Sequence, residues 1–232
     1  PFDLKRFSDF SQMRERVAMK LIHTKSNETL LKEVPSIPFH DLSIVFYLFL
    51  DKDEHGQMTV LIRNDHLPIW NTDTSELYKL AIDNTPRLYP PCIRSMASLI
   101  NDMLFVNGTL IQPSFAAASP NALDLTDSPI PLSLLTNTSG IFGASAMLYP
   151  GVLKEFSKKI GHDLIILPSS VHEVLLLPYD STYSFQEMAD MVKDVNEKCV
   201  PVEEQLSNQV YYYSSAQDSI FLGGDPASRI LS

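Results

Sequence analysis

Hydrophobic and polar positions alternate in short blocks along this chain, and the blocks change period several times. Asp9 to Glu15 carries a helical pattern and leads into Val17-Ala18-Met19-Lys20-Leu21-Ile22-His23, where Val17, Met19 and Leu21 share one face of an expected strand. Asn27 to Leu31 has the length of one helical turn before Pro35 and Pro38 interrupt it. Asp41 to Leu50 is nearly continuous apolar sequence rich in aromatic and branched residues, which predicts a strand buried on both faces. The polar turn Asp51 to Gly56 returns the chain into Met58 to Arg63 and completes a hairpin.

Helices are marked by caps as well as by period. Asp73 with Glu76 three residues on forms a capping box, and the helix it opens, Ser75 to Asn84, is expected to stop before Pro86. Leu88 to Pro91 is extended, and Met96, Ile100 and Met103 give Ile93 to Met103 a helical stripe. Asn107 to Pro131 has no sustained period and is rich in Pro, Ser, Ala and Asn, as in an exposed loop, lid or linker. Beyond it, Leu132 to Thr136 reads as a strand and Ile141 to Leu148 as an apolar run. Pro150 is expected at the first position of a helix whose stripe is Val152, Leu153, Phe156 and Ile160, with Lys158 and Lys159 in the last turn and Gly161 at its end. Two strands, Asp163 to Leu167 and Val171 to Leu177, precede a second capping box, Ser184 and Glu187. The helix that follows carries Met188, Met191, Val192, Val195 and Cys199 on one face. Val210 to Tyr213 is a last strand, with Ser219 to Leu222 as its partner.

The expected fold class is α+β: antiparallel sheet with helices packed on one face. Strand 42–50, strand 58–63 and helix 75–84 parallel strand 163–167, strand 171–177 and helix 185–199, which suggests two related β-β-α halves. The expected organisation is an N-terminal half over 1–103, a flexible loop or linker over 104–131, and a C-terminal half over 132–232, with room for a single shared domain. A shared ancestry of the halves requires the same strand order in both.

Charge and cysteine content narrow the function classes. The 232 residues carry 18 Lys+Arg against 28 Asp+Glu, a net charge of -10, so no basic face is expected for a nucleic-acid backbone. No run approaches the roughly 18 apolar residues of a membrane-spanning helix. Two distant cysteines, Cys92 and Cys199, make neither a disulfide framework nor a zinc site. The chain opens on Pro1-Phe2-Asp3 rather than Met, which leaves room for residues upstream, and its first stretch shows no signal pattern. The expectation is a cytoplasmic globular protein.

Candidate chemistry is sparse. Asp51 to Gly56 begins like a calcium loop, but the position that must supply a bidentate Glu is Ile62, so a hairpin turn is the reading. The histidines lack metal-ligand spacing, and there is no phosphate loop or dinucleotide fingerprint, so no metal and no cofactor is expected. Ser170, His172 and Glu173, within the segment Ser169 to Glu173, are the residue types of acyl transfer. Neighbours in a strand point to opposite faces, so Ser170 and His172 can share a face that Glu173 cannot. Trp70, Tyr211 and Tyr213 are candidate binding aromatics, since a ring with a polar handle suits an interface.

The runs LLKEVPSIPFHDLSIVFYLFL, TVLIRNDHLPIW and NTPRLYPPCIRSM, followed by LYPGVLKEFSKKIGHDLIILPSSVHEVLLLP and VNEKCVPVEEQLSNQVYYYS, resemble the bacterial domain of unknown function 5688. The order of motifs is more distantly similar to the family numbered 1444. The resemblance spans about residues 16 to 214 and implies a bacterial cytosolic protein; it brings no activity and no functional residues. The leading expectation is therefore a non-catalytic protein-binding or adaptor domain whose partner is another protein, not nucleic acid or membrane. The alternative is a hydrolase or small-molecule-binding enzyme using the Ser169 to Glu173 segment.

Overall fold

The apolar run after Asp41 forms the longest strand and organises the first of two sheets. The computed structural model describes residues 9–53, 56–96, 132–168 and 170–224, with side chains at all of these but 52, 53 and 56. Its contacts divide the chain into two units, Pro1–Pro90 with Leu148–Pro150, and Pro91–Met147 with Gly151–Ser232.

In the first unit a short helix α1 (Phe10–Met13) leads into β1 (Val17–His23), then α2 (Glu28–Leu31), β2 (Ser36–Phe39), β3 (Leu42–Asp53) and β4 (Gly56–Leu61). All pairings are antiparallel. One edge of β3 takes β1, from Val17 opposite Leu48 to His23 opposite Leu42. Its other edge takes β2 near the start and β4 further along, with an irregularity between Phe49 and Asp51. The expected double burial of this strand holds. Met19, Leu21, Leu42, Phe46 and Leu48 are buried on one face, while Val45 on the other packs with Ile22 and Val34 beneath Leu30 and Leu31 of α2. Apolar side chains at nearly every position are what such a two-sided strand requires, and the buried exception, Ser43, shares a hydrogen bond with Thr24.

Two helices follow, α3 (His66–Trp70) and α4 (Thr74–Leu88). The N-cap half of the expected box is formed, Asp73 Oδ1 accepting the Glu76 N–H at 2.8 Å, while the Glu76 carboxylate accepts from Arg14 instead of closing the box. The helix does not stop before Pro86 as expected but runs through it to Leu88. Tertiary hydrogen bonds hold that last stretch. Asn84 Nδ2 donates to Arg14 O at 2.7 Å and Val17 O at 3.1 Å, Thr85 Oγ1 accepts the Met19 N–H at 3.1 Å, and Arg87 Nη2 donates to Glu15 O at 2.9 Å. The bonds to Val17 and Met19 lie on the outer edge of β1 and the other two on the turn that leads into it, so α4 covers the start of an edge that would otherwise present unpaired backbone groups.

The second unit holds β5 (Pro91–Ser95), β6 (Ser133–Asn137), α5 (Val152–Ile160), β7 (Leu164–Leu167), β8 (Val174–Pro178), α6 (Phe185–Cys199), β9 (Tyr211–Ser214) and β10 (Ser219–Leu222). The strands form one antiparallel sheet in the order β10-β9-β7-β8-β6-β5. Residues 93–95, expected to open a helix, are strand; the rest of that expected helix, from 97 on, lies outside the described residues, as does the 104–131 stretch. Strand β5 thus joins the second sheet rather than the first half. Isoleucine at 93 between polar Cys92 and Arg94 satisfies a period of two as well as it starts a helical stripe, and pairing with β6 decides between them.

Leu164–Leu167 and Val174–Leu177 are buried at every position, so both faces of this sheet need cover. On one face, Ile165, Leu167, Leu175 and Leu177 pack with Val192 of α6. On the other, α5 lies over the β5–β6 side, its Val152, Glu155, Phe156 and Lys159 facing Pro91, Ile93, Ser95 and Ser133. The α+β class is as expected, but helices cover both faces here rather than one. The idea of two related halves also meets a difference in strand order. The first hairpin strand pairs outward with an earlier strand in the first unit, β3 with β1, and with a later one in the second, β7 with β9. The common β-β-α run is a local similarity.

Candidate functional site

The segment that carries Ser170, His172 and Glu173 is a turn between β7 and β8, stitched into its surroundings by backbone bonds. Val171 N–H donates to Glu204 O at 2.9 Å and Ala144 N–H to Val171 O at 3.3 Å, while Ser170 forms an antiparallel bridge with Gln205. Ser170 is buried, and its Oγ accepts the His172 N–H at 2.9 Å and donates to Glu173 Oε1 at 3.0 Å. A turn therefore brings Ser170 and Glu173 together, which the alternation of a strand would have kept apart. The imidazole of His172 faces elsewhere: its Nδ1 accepts the Phe142 N–H at 3.3 Å, its ring stacks on Phe142, and its Nε2 lies 3.8 Å from Glu204 Oε1. Accepting at Nδ1 assigns the neutral ring's proton to Nε2, toward Glu204. Ser169 lies outside the described residues.

Burial raises the pKa of Glu173; the hydrogen bond from Ser170 and the nearby His172 oppose the rise, and Glu204 adds to it. A carboxyl that holds its proton more tightly when folded adds stability below its ordinary range and loses it as pH climbs through the raised value. Glu173→Gln keeps an acceptor for Ser170 and removes the charge. The variant is expected to match the native chain in denaturant midpoint near pH 4 and to exceed it at pH 7; an equal or lower midpoint at pH 7 would contradict this.

The candidate aromatics are packed. Trp70 is 5% exposed and stacks on Phe10 with ring centroids 5.3 Å apart. Tyr211 is fully buried, and Tyr213 is buried with its hydroxyl donating to Asp218 at 2.6 Å. Their neighbour Tyr212 donates to Asp163, which also accepts from the Ser215 N–H and hydroxyl. Burial works against ionisation of Asp163, but the bonds from Ser215 and Tyr212 outweigh it and hold its pKa below the ordinary value. Among the described residues, no group of three or more His, Cys, Asp or Glu side chains could hold a metal ion.

A concave site lies beside β5, which ends the second sheet among the described residues. Between that strand and α5 is a cleft of about 370 Å³ lined by Pro91, Ile93, Ser95, Ser133, Val152, Glu155, Phe156 and Lys159. Its wall is assembled by two periods: Ile93 and Ser95 share a strand face, and Val152, Glu155, Phe156 and Lys159 fall at helical spacing. The sequence stripe of α5 splits in the fold, Leu153 turning into the core while Val152 and Phe156, half-buried, line the cleft. Sequence reading passed over this site because residues 93–95 fitted a helix. The Glu155–Lys159 pair one turn apart was the only signal on α5.

These features define a class: an α+β protein of two antiparallel sheets, with an open cleft at the edge of the second. The chain belongs to the family of unknown function DUF5688, whose model matches residues 1–215. No curated protein and no solved structure matches it. Among the described residues no helix is long and apolar enough to cross a membrane.

Proposed function

We propose that this chain is a cytosolic protein-binding module that takes an extended polypeptide segment along β5, beneath α5. One observation carries the reading: β5, which ends its antiparallel sheet among the described residues, stands beside a cleft with a half-buried apolar wall of Ile93, Val152 and Phe156. An end strand offers backbone N–H and C=O groups to an added strand, and every second side chain of that strand would enter the cleft. Main-chain bonds give affinity in this mode and the pocket gives selectivity. The net charge of -10 favours a basic partner and faster encounter at low salt.

The test is capture of peptides from a random library on the immobilised chain. Retained peptides are expected to share an apolar residue at a fixed position, and Phe156→Glu is expected to weaken them about tenfold or more, the scale of losing a central anchor. An unchanged thermal transition in that variant separates lost binding from lost folding. Failure to retain any peptide, or equal retention by Phe156→Glu, would contradict the proposal.

A further inference from the structure

One titratable ring of the second unit stands between two neighbours that ask for opposite protonation states. His172 lies in the turn between β7 and β8, its side chain 27% exposed. On one side its Nδ1 accepts the Phe142 N–H at 3.3 Å, which requires that this nitrogen carry no proton. On the other, its Nε2 lies 3.8 Å from Glu204 Oε1 in the segment after α6, where a charged ring gains an ion pair and a neutral one gains little. Glu173, next in the chain, adds a second carboxyl within electrostatic reach. The segments packed against the other side of the turn bring no charge: residues 138–148 carry no ionisable side chain, and Thr136 of β6 donates its hydroxyl to His172 O at 2.8 Å.

Phe142 is the strained partner in this arrangement. Its φ is +53°, in the left-handed region that a bulky residue seldom enters unless its surroundings hold it there. Asn137 ties down the residues before it, its Oδ1 accepting the N–H groups of Ser139 and Gly140 at 3.0 Å and its Nδ2 donating to Ile141 O at 2.9 Å. After it, Ala144 N–H donates to Val171 O at 3.3 Å, and Gly143 sits against Thr136 and the His172 carbonyl with no room for a Cβ. Phe142 itself is fixed by the bond to Nδ1 and by its ring, which stacks on the imidazole with centroids 6.1 Å apart. The peptide group at 142 is thus suspended between two fixed points, with the histidine nitrogen as its acceptor.

We infer that His172 is a proton-operated latch: the neutral ring holds the Phe142 amide in its left-handed conformation, and the protonated ring releases it and pairs with Glu204. A proton on Nδ1 turns the acceptor into a donor, so two N–H groups would face each other across the present bond. The positive ring gains from the Glu204 carboxylate instead, and the backbone at 142 is released from its strained conformation. Imidazole is the side chain whose ordinary charge change falls between about pH 5 and pH 8, which suits it to such switching. Because Asn137 and Gly143 stay packed, the change is confined to the entrance of the 3-10 turn Gly143–Leu148 and leaves the sheet intact. The latch is independent of peptide capture at β5.

The experiment follows the full chain by NMR from about pH 8 to about pH 5, the range in which imidazole ordinarily changes charge. The His172 ring carbons report its protonation, and the exchange protection of single amides, corrected for intrinsic rate, reports the bond. Protection of the Phe142 amide is expected to fall about tenfold, the scale of one lost hydrogen bond, with the midpoint of the His172 titration. The amides of Ile166 and Leu176, inside the sheet, are expected to stay protected throughout. His172→Asn places an amide oxygen near the position of Nδ1 and does not titrate, so its Phe142 amide is expected to keep constant protection. A Phe142 amide that stays protected while His172 titrates, a ring still neutral at the acid end, or a loss that persists in folded His172→Asn overturns the latch. Parallel loss at Ile166 and Leu176 means general loosening in acid and overturns it too. The native titration compares ring and amide in one molecule, so it decides the matter even if the variant is unstable.

Discussion

Gly143→Ala is expected to destabilise the second unit by about 3 kcal/mol or more, at the upper end of what overpacking costs. Gly143 opens the 3-10 turn that runs to Leu148, at the junction of β6 with the turn carrying Ser170. A Cβ there would sit 2.1 Å from Thr136 Oγ1, 2.4 Å from His172 O and 2.8 Å from Asn137 N. Two of those atoms are backbone, so no side-chain rotation clears them. The surroundings are also tied in place: Thr136 Oγ1 donates to His172 O at 2.8 Å, and the N–H groups of Phe142 and Ala144 donate to His172 Nδ1 and Val171 O. Moving any strand of this junction breaks several of these bonds at once. Adding Thr136→Ala removes one clash of the three, so the double variant should recover only a minor part of the loss. The check is chemical denaturation followed by far-ultraviolet circular dichroism; a Gly143→Ala midpoint equal to the native one would contradict the packing described.

Asn84→Leu is expected to cost the first unit about 2–4 kcal/mol, since each buried backbone group left without its partner costs about 1–3 kcal/mol. The side chain is 8% exposed and its Nδ2 serves two carbonyls, Arg14 O and Val17 O. Leucine fills a similar volume and donates to neither. The loss falls on the edge of β1, where Thr85 supplies the adjoining bond: its Oγ1 accepts the Met19 N–H while donating to Ala81 O at 2.5 Å. Asn84 and Thr85 act on consecutive outward-facing groups of one strand, so Asn84→Leu and Thr85→Val together are expected to cost less than their separate sum, as neighbours sharing a network do. Trp70, the single tryptophan, is buried within this unit and its fluorescence reports the unfolding. A change in midpoint too small to resolve would show that α4 does not hold that edge.

The parts of the fold that sequence revealed are those whose cause is local. The strand after Asp41 declares itself because two buried faces demand apolar residues throughout. The hairpin at Asp51–Gly56 and the caps at Asp73 and Ser184 each depend on a few adjacent residues, and Ser184 Oγ accepts the Glu187 N–H at 3.3 Å as its spacing implies. What escaped has distant causes. Strand β5 is a strand because β6, far along the chain, pairs with it. Helix α4 passes Pro86 because Asn84 and Arg87 find carbonyls near the start of the chain. Asn196 interrupts the apolar stripe of α6 yet is fully buried, its Nδ2 donating to Ser207 O at 2.9 Å and Asn208 Oδ1 at 2.8 Å.

The candidate sites divide in the same way. Ser170, His172 and Glu173 were visible as residue types, but their relation depends on a turn that gives the serine hydroxyl to Glu173 and the histidine ring to Phe142 and Glu204. Trp70 and the tyrosines at 211 and 213 were visible as aromatics, and their burial is set by the sheets and helices around them. Of the cleft beside β5 only the Glu155–Lys159 spacing was visible, because the rest needs Ser133 brought opposite Ser95 and both brought under α5.

In the proposed mode of binding, β5 is the surface that receives a partner. Hydrogen exchange read by mass spectrometry, with and without a library-selected peptide bound, addresses it most directly. Backbone amides of residues 92–95 are expected to exchange markedly more slowly in the complex, as amides do on gaining strand partners. Slowed exchange elsewhere with 92–95 unchanged would contradict strand addition at β5.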